Sequence, residues 1–119
     1  NVEDIINSYH HFRNEKSDNL ITACPARRNP YFNIVEKVGN QVKVVKELPT
    51  SIIRRQDAPP VYDMNASIYI WKREALMSRQ SLFSSKTSLY IMPEERSIDI
   101  DSMLDWDIVE FLITRKKIK

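Results

Sequence analysis

At 119 residues and 14.0 kDa the chain has room for one domain of ordinary size, and 42% hydrophobic with 29% charged residues excludes the disordered and fibrous classes. One cysteine, Cys24, and two adjacent histidines, His10 and His11, rule out a disulfide framework and a zinc site, while a lone Gly39 rules out a P-loop or a Gly-x-Gly-x-x-Gly turn. No apolar run reaches bilayer length and no basic-then-apolar leader opens the sequence, which predicts a soluble cytoplasmic protein without a membrane partner.

Val2, Ile5, Ile6, Tyr9 and Phe12 recur at helical spacing after Asn1, which predicts an amphipathic helix over 2–16 with Asn1 as its N-cap. Leu20 to Cys24 is an apolar run stopped by Pro25 and reads as a buried strand. A helix feeding a buried strand is half of an α/β unit, so the chain is expected to begin in mid-fold. Residues 25–60 hold five of the six prolines. Within them Asn33–Val38 and Gln41–Lys46 alternate across Gly39-Asn40, a two-residue hairpin signal. Arg54 to Pro60 reads as an exposed extended loop. Ala66–Trp71 is expected to be a core strand, Lys72–Arg79 a short helix, Ser81–Ser88 a polar connection, and Leu89–Met92 a strand ended by Pro93. The stripe Leu104, Ile108, Phe111 and Leu112 then predicts a final helix entered at Asp101-Ser102.

Charge is distributed unevenly. Arg27 to Arg55 carries seven basic and two acidic residues, whereas Glu94 to Glu110 carries seven acidic residues against Arg96. This split suits one anion-binding and one cation-binding region and not a nucleic-acid stripe. Ser97-Ile98-Asp99-Ile100-Asp101, read as a strand, places Asp99 and Asp101 on one face and the two isoleucines inward. Two such carboxylates suit magnesium, which keeps several waters and takes one or two carboxylates with substrate phosphates. Alternatively, Asp101 only caps the last helix and Asp99 is solvated. Arg54 and Arg55 offer planar forks for a carboxylate or phosphate. Tyr62, Asn65 and Tyr69 can hydrogen-bond a polyhydroxylated ligand, although Tyr69 fits a core position equally well.

Arg55-Gln56, Asn65-x-x-Ile68-Tyr69-Ile70, Leu89-Tyr90-x-Met92 and Ser97-Ile98-Asp99-Ile100-Asp101, in this order and spacing, resemble the C-terminal half of the acylneuraminate cytidylyltransferases. These are the CMP-sialic acid synthetases and their legionaminic-type relatives, and the resemblance extends over 1–119. It implies the C-terminal half of an α/β, Rossmann-like nucleotide-diphospho-sugar transferase fold, with residues 25–62 as a protruding β-hairpin arm for homodimerisation. It also implies transfer of CMP from CTP to the anomeric hydroxyl of a nonulosonic acid, with pyrophosphate released and Mg2+ as cofactor. By the same resemblance Asp99 and Asp101 are the catalytic, metal-binding carboxylates and Arg55 pairs with the sugar carboxylate. Gln56, Asn65 and Tyr69 border the sugar, and Leu82 and Phe83 form an apolar patch for its N-acyl group, across the dimer.

Three features depart from the pattern. The N-terminal half with its basic Gly-rich nucleotide loop is missing, so this chain alone is expected not to use CTP. Phe32 stands where sialate-specific members have lysine in the arm. Asp63 and Ala66 stand where those members have a cationic residue and a glycine, so a legionaminate-type sugar fits at least as well. The other functions considered are a non-catalytic sugar-acid-binding or dimerisation module, and an enzyme for the eight-carbon acid of lipopolysaccharide.

Overall fold

The computed structural model describes residues 1–49, 54–78 and 81–117, with 116 and 117 described through their backbone alone. The described residues divide into two units, Asn1–Cys24 with Met64–Lys119, and Pro25–Asp63.

The larger unit opens with helix α1, Val2–Asn14, and the Asn1 side chain accepts the Glu3 N–H at 2.9 Å, the expected cap. Lys16, at φ +53°, takes the left-handed position after the helix and ends it. The packed face of α1 differs from the expected one. Asp4, Ser8 and Phe12 are buried, while Val2, Ile5, Ile6 and Tyr9 are exposed. Polar residues can turn inward here because each is satisfied. Arg96 grips Asp4 with two parallel bonds, Nε to Oδ2 at 2.7 Å and Nη2 to Oδ1 at 2.9 Å. The Ser8 hydroxyl donates to the Ile5 carbonyl at 2.9 Å. Periodicity located the helix, but the specific ion pair decided its rotation.

Strand β1, Asn19–Pro25, is buried through Cys24, as the apolar run predicted. It lies at the centre of a three-stranded sheet in the order β4-β1-β5, where β4 is Tyr62–Trp71 and β5 is Thr87–Ile91. Strands β1 and β5 run parallel, with Asn19 opposite Thr87 and Ala23 opposite Ile91. The Lys72 N–H donates to the Asp18 carbonyl at 2.9 Å and the Ile68 N–H to Thr22 Oγ1 at 3.0 Å, so β4 runs against β1. Parallel strands flanked by a helix make this an α/β arrangement. Strand β4 begins earlier than expected and is not a core strand, since Asn65 is its one buried residue. The short helix α2, Arg73–Met77, follows it and buries Ala75. The expected helix reached Arg79, which lies outside the described residues.

Ala66 interrupts β4 with φ +48°, the left-handed region. The Asn65 side-chain oxygen accepts the Ser67 N–H at 3.2 Å, a turn-like bond that holds this kink. A Cβ in that region costs about 1–2 kcal/mol, partly offset by the greater entropy glycine loses on folding. Ala66→Gly is therefore expected to stabilise the chain by about 1 kcal/mol in urea unfolding.

Two expectations fail between β5 and the last helix. Ser97–Asp101 is not a strand. A single 3-10 turn over Glu94–Arg96 follows Pro93, and 97–101 continues as irregular backbone. The Ser97 N–H bonds back to the Glu94 carbonyl at 3.0 Å and the Ser97 hydroxyl to the Pro93 carbonyl at 2.9 Å, which curls the chain instead of extending it. Ile98 is consequently half-buried and Ile100 is 47% exposed, in place of two inward side chains. Helix α3, Met103–Lys117, forms as expected, yet Leu104, Ile108 and Phe111 of its apolar stripe are exposed.

In the smaller unit β2, Val35–Val38, pairs antiparallel with β3, Gln41–Val44, through the expected Gly39-Asn40 turn. Gly39 has φ +61° and Asn40 has no positive φ, the pattern of a two-residue turn with glycine first. Asn29 organises the base. It is buried, its Nδ2 donates to the Pro59 carbonyl at 2.9 Å, and its Oδ1 accepts the Tyr31 N–H at 3.0 Å. The loop expected to be extended from Arg54 contains a 3-10 turn over Arg55–Asp57, closed by the Asp57 N–H on the Arg54 carbonyl at 3.0 Å.

Candidate functional site

Asn65 and the 97–101 segment, singled out separately in the sequence, meet in the larger unit. Asn65 Nδ2 donates to Ser97 Oγ at 2.9 Å and to Met92 Sδ at 3.4 Å. Its Oδ1 accepts the Thr22 hydroxyl at 2.7 Å and the Ser67 N–H at 3.2 Å. Both donors and both lone pairs of the amide are thereby occupied inside the protein. Thr22 was not singled out from sequence, although a polar residue inside the run Leu20-Ile21-Thr22-Ala23-Cys24 was a usable signal. Arg96 and Asp4 were also missed, because residues 92 positions apart carry no local pattern.

Beyond Ser97 the two candidate carboxylates reach solvent. Asp99 and Asp101 are exposed, and Asp99 Oδ1 accepts the Ile100 N–H at 3.1 Å. Among the described residues neither forms an ion pair with a cationic side chain. Asp101 does not cap α3. Ser102 and Asp105 perform that task reciprocally: the Ser102 hydroxyl and N–H reach Asp105 Oδ2 at 2.6 and 2.9 Å, and the Asp105 N–H reaches Ser102 Oγ at 3.3 Å. The capping alternative for Asp101 is thus overturned, and its carboxylate is left for other work. Among the described residues no three His, Cys, Asp or Glu side chains converge as a cage. Two exposed carboxylates two residues apart offer the hard oxygens that magnesium takes together with water and phosphate oxygens.

The Ser102 hydroxyl is the main cause that holds the Asp105 carboxyl below its ordinary range. Some desolvation opposes it, and the Ser102 and Asp101 N–H groups add to it. A carboxyl more acidic in the folded state contributes stability above its unfolded value, about pH 4, and loses it as pH falls through the lower folded value. The protection of amides in the first turn of α3, taken relative to their intrinsic exchange rates at each pH, is therefore expected to fall on acidification below about pH 4. Ser102→Ala is expected to flatten that acid dependence.

Tyr69 is 44% exposed and Phe83 63% exposed, with Leu82 half-buried beside it. The Leu82 carbonyl accepts from Asn19 Nδ2 at 2.8 Å and from the Thr87 hydroxyl at 3.0 Å, which fixes the backbone of this short apolar patch. Arg55 and Gln56 stand on the 3-10 turn of the smaller unit, both exposed. Arg55 Nη2 donates to the Arg27 carbonyl at 2.8 Å, which uses one of five guanidinium N–H groups and orients the fork.

No family model matches the chain. Comparison with curated proteins does find relatives. The chain is 50% identical over 116 residues to the post-translational flagellin modification protein B of Campylobacter coli, which is 98% of this chain and 48% of that protein. It is 56% identical over 99 residues to the CMP-N,N'-diacetyllegionaminic acid synthase of Campylobacter jejuni, 83% of this chain and 41% of the synthase. An N-acylneuraminate cytidylyltransferase of Streptococcus agalactiae is 30% identical over 90 residues, 75% of this chain and 21% of that protein. The chain spans about half or less of the length of the curated relatives it matches. On these similarities it belongs to the acylneuraminate cytidylyltransferase family, with the legionaminic-type synthases among its relatives, and corresponds to the C-terminal part of its members.

Proposed function

We propose that this chain forms the sugar- and metal-binding half of an enzyme that transfers CMP from CTP to the anomeric hydroxyl of a nonulosonic acid. The anomeric oxygen bonds to the α-phosphorus of CTP as the bond to pyrophosphate breaks, and the hydroxyl gives up its proton. The observation that carries this reading is the two exposed carboxylates, without an ion pair among the described residues, on a segment tied to buried Asn65, in a chain 56% identical over 99 residues to a legionaminic acid synthase. A legionaminate-type sugar is the favoured substrate on that identity.

Asp99 and Asp101 hold magnesium, which when bound neutralises negative charge on the triphosphate. Arg55, with its fork steadied by the Arg27 carbonyl, pairs with the sugar carboxylate and aligns the anomeric oxygen. Gln56 and Tyr69 supply neutral hydrogen bonds to sugar hydroxyls, and Leu82 with Phe83 receives the N-acyl group. Asn65 borders the sugar. Because its amide is fully occupied within the protein, it acts there by holding neighbouring backbone.

The β2–β3 hairpin serves as the dimerisation arm. Val35, Val38 and Val42 are exposed on it, apolar surface that a second copy can cover. The exposed face of α1, with Val2, Ile5, Ile6 and Tyr9, is covered by the part of the fold that the relatives possess beyond this chain's match. No described helix is long and apolar enough to cross a membrane, and a cytoplasmic location belongs to the same proposal. The direct test is magnesium-dependent pyrophosphate release from CTP in a polypeptide that joins this chain to the N-terminal part of the Campylobacter jejuni synthase. Release that requires the sugar acid supports the reading, and release indifferent to the sugar contradicts it.

A further inference from the structure

Thr22 stands on the central strand, buried, and touches none of the exposed groups assigned to substrate or metal. Its Oγ1 accepts the Ile68 N–H at 3.0 Å, and of the two acceptors in reach of its single proton Asn65 Oδ1 at 2.7 Å is much nearer than the Ile68 carbonyl at 3.3 Å. Asn65 passes the connection on through Nδ2 to Ser97 Oγ at 2.9 Å, and the Ser97 proton goes to the Pro93 carbonyl at 2.9 Å. Asn65 gives its other Nδ2 proton to Met92 Sδ at 3.4 Å, and along the series itself each group passes its proton in the same direction. The series starts on β1, crosses β4 at the left-handed kink of Ala66, and ends two residues before Asp99.

Residues 97–101 have no regular secondary structure to hold them. Their attachment on one side is the capped start of α3, whose apolar residues are largely exposed. On the other side Ser97 is held by its own bonds to the Pro93 and Glu94 carbonyls, next to Arg96 on Asp4, and its one side-chain bond from the sheet is that from Asn65. An irregular segment of this kind stays ordered only through side-chain bonds from the rigid scaffold beside it.

We infer that Thr22 is a positioning residue for the Asp99–Asp101 segment, acting through Asn65 and Ser97. This rests on the metal-binding reading of the two carboxylates, and it adds that their placement is set from the buried face of the sheet. The kink at Ala66 is part of the device, because it lets one asparagine bond both Thr22 and Ser97 while its oxygen also takes the Ser67 N–H.

The test is nitrogen-15 relaxation of this chain as wild type, Thr22→Val, Thr22→Ser and Ser97→Ala, each with and without manganese as the paramagnetic probe for magnesium. In the wild type, residues 97–101 are expected to show order parameters near the rigid value of about 0.85, and in Thr22→Val below about 0.6, with β1 and β5 unchanged. Thr22→Ser keeps the hydroxyl and is expected to restore the wild-type values. Ser97→Ala cuts the connection at its half-buried end without touching the sheet, and is expected to mobilise the same residues even where Thr22→Val proves too unstable to measure. Unchanged order over 97–101 in whichever of these two variants folds overturns the inference. Manganese is expected to broaden the amides of 99–101 in the wild type and not in an Asp99→Asn, Asp101→Asn double variant. Absence of broadening in the wild type overturns the metal reading instead, and the positioning claim is then decided by the order parameters alone.

Discussion

Asp99→Asn or Asp101→Asn, made in a polypeptide that joins this chain to the N-terminal part of a relative, is expected to lower magnesium-dependent pyrophosphate release by about 10²–10³-fold. That is the size of effect seen when one preorganised group facing developing charge is lost. Asparagine keeps the volume and one acceptor oxygen but gives up the negative charge that draws a hard dication. The defect should therefore ease as magnesium is raised, because weaker binding can be met by mass action while lost geometry cannot. Both side chains are exposed and free of cationic partners among the described residues, so thermal stability should move by no more than about 0.5 kcal/mol. A loss of activity that tracks a loss of folding, or one that no magnesium concentration relieves, would remove the metal role. Steady-state rates over a magnesium series, with circular dichroism on the same samples, separate these outcomes.

Arg55→Ala is expected to act on the other substrate. A guanidinium paired with a carboxylate contributes about 1.5–3 kcal/mol, equivalent to a rise of roughly 10–100-fold in the Michaelis constant for the sugar acid. The constant for CTP should stay within about twofold, since uniform binding to one substrate is removed without touching the other. Arg55 is held at one N–H group by the Arg27 carbonyl, which aims the remaining donors without tying them up. Arg55→Lys should recover only part of the loss, because an ammonium cannot form two parallel bonds to a carboxylate. Equal rises in both Michaelis constants would show that Arg55 supports the fold or the nucleotide and not the sugar carboxylate.

The parts of the fold that the sequence made legible are those governed by local chemistry. Asn1 caps α1, Gly39-Asn40 turns the hairpin, Pro25 and Pro93 bound β1 and β5, and each depends on residues near it in the chain. The misread features depend on distant partners. The rotation of α1 is set by Arg96 gripping Asp4, and hydrophobic periodicity contains no record of that pair. The apolar residues of α1 and α3 read as core stripes, yet they are exposed in this chain, which matches about half or less of its relatives' length. Periodicity reports that a face is apolar, not what covers it.

The candidate site shows the same division. Alternation in Ser97-Ile98-Asp99-Ile100-Asp101 imitates a strand, but Ser97 spends its hydrogen bonds on Pro93, Glu94 and Asn65, and the segment curls. The acidic pair was legible as residue types at a spacing, whereas its attachment to β1 through Thr22 was visible only once β4 and β1 were placed side by side. Asn65, read as a sugar-facing amide, turned out to have every hydrogen-bonding position filled by the protein.

The most direct measurement is CTP-dependent formation of a CMP-sugar by this chain joined to the N-terminal part of the Campylobacter jejuni synthase, with N,N'-diacetyllegionaminic acid and magnesium supplied. The account predicts a CMP-sugar and stoichiometric pyrophosphate, both formed about 10²–10³-fold more slowly in Asp99→Asn. A folded chimera that binds the sugar acid yet forms no CMP-sugar, beside an active parent synthase, would contradict it and favour a non-catalytic sugar-acid-binding module.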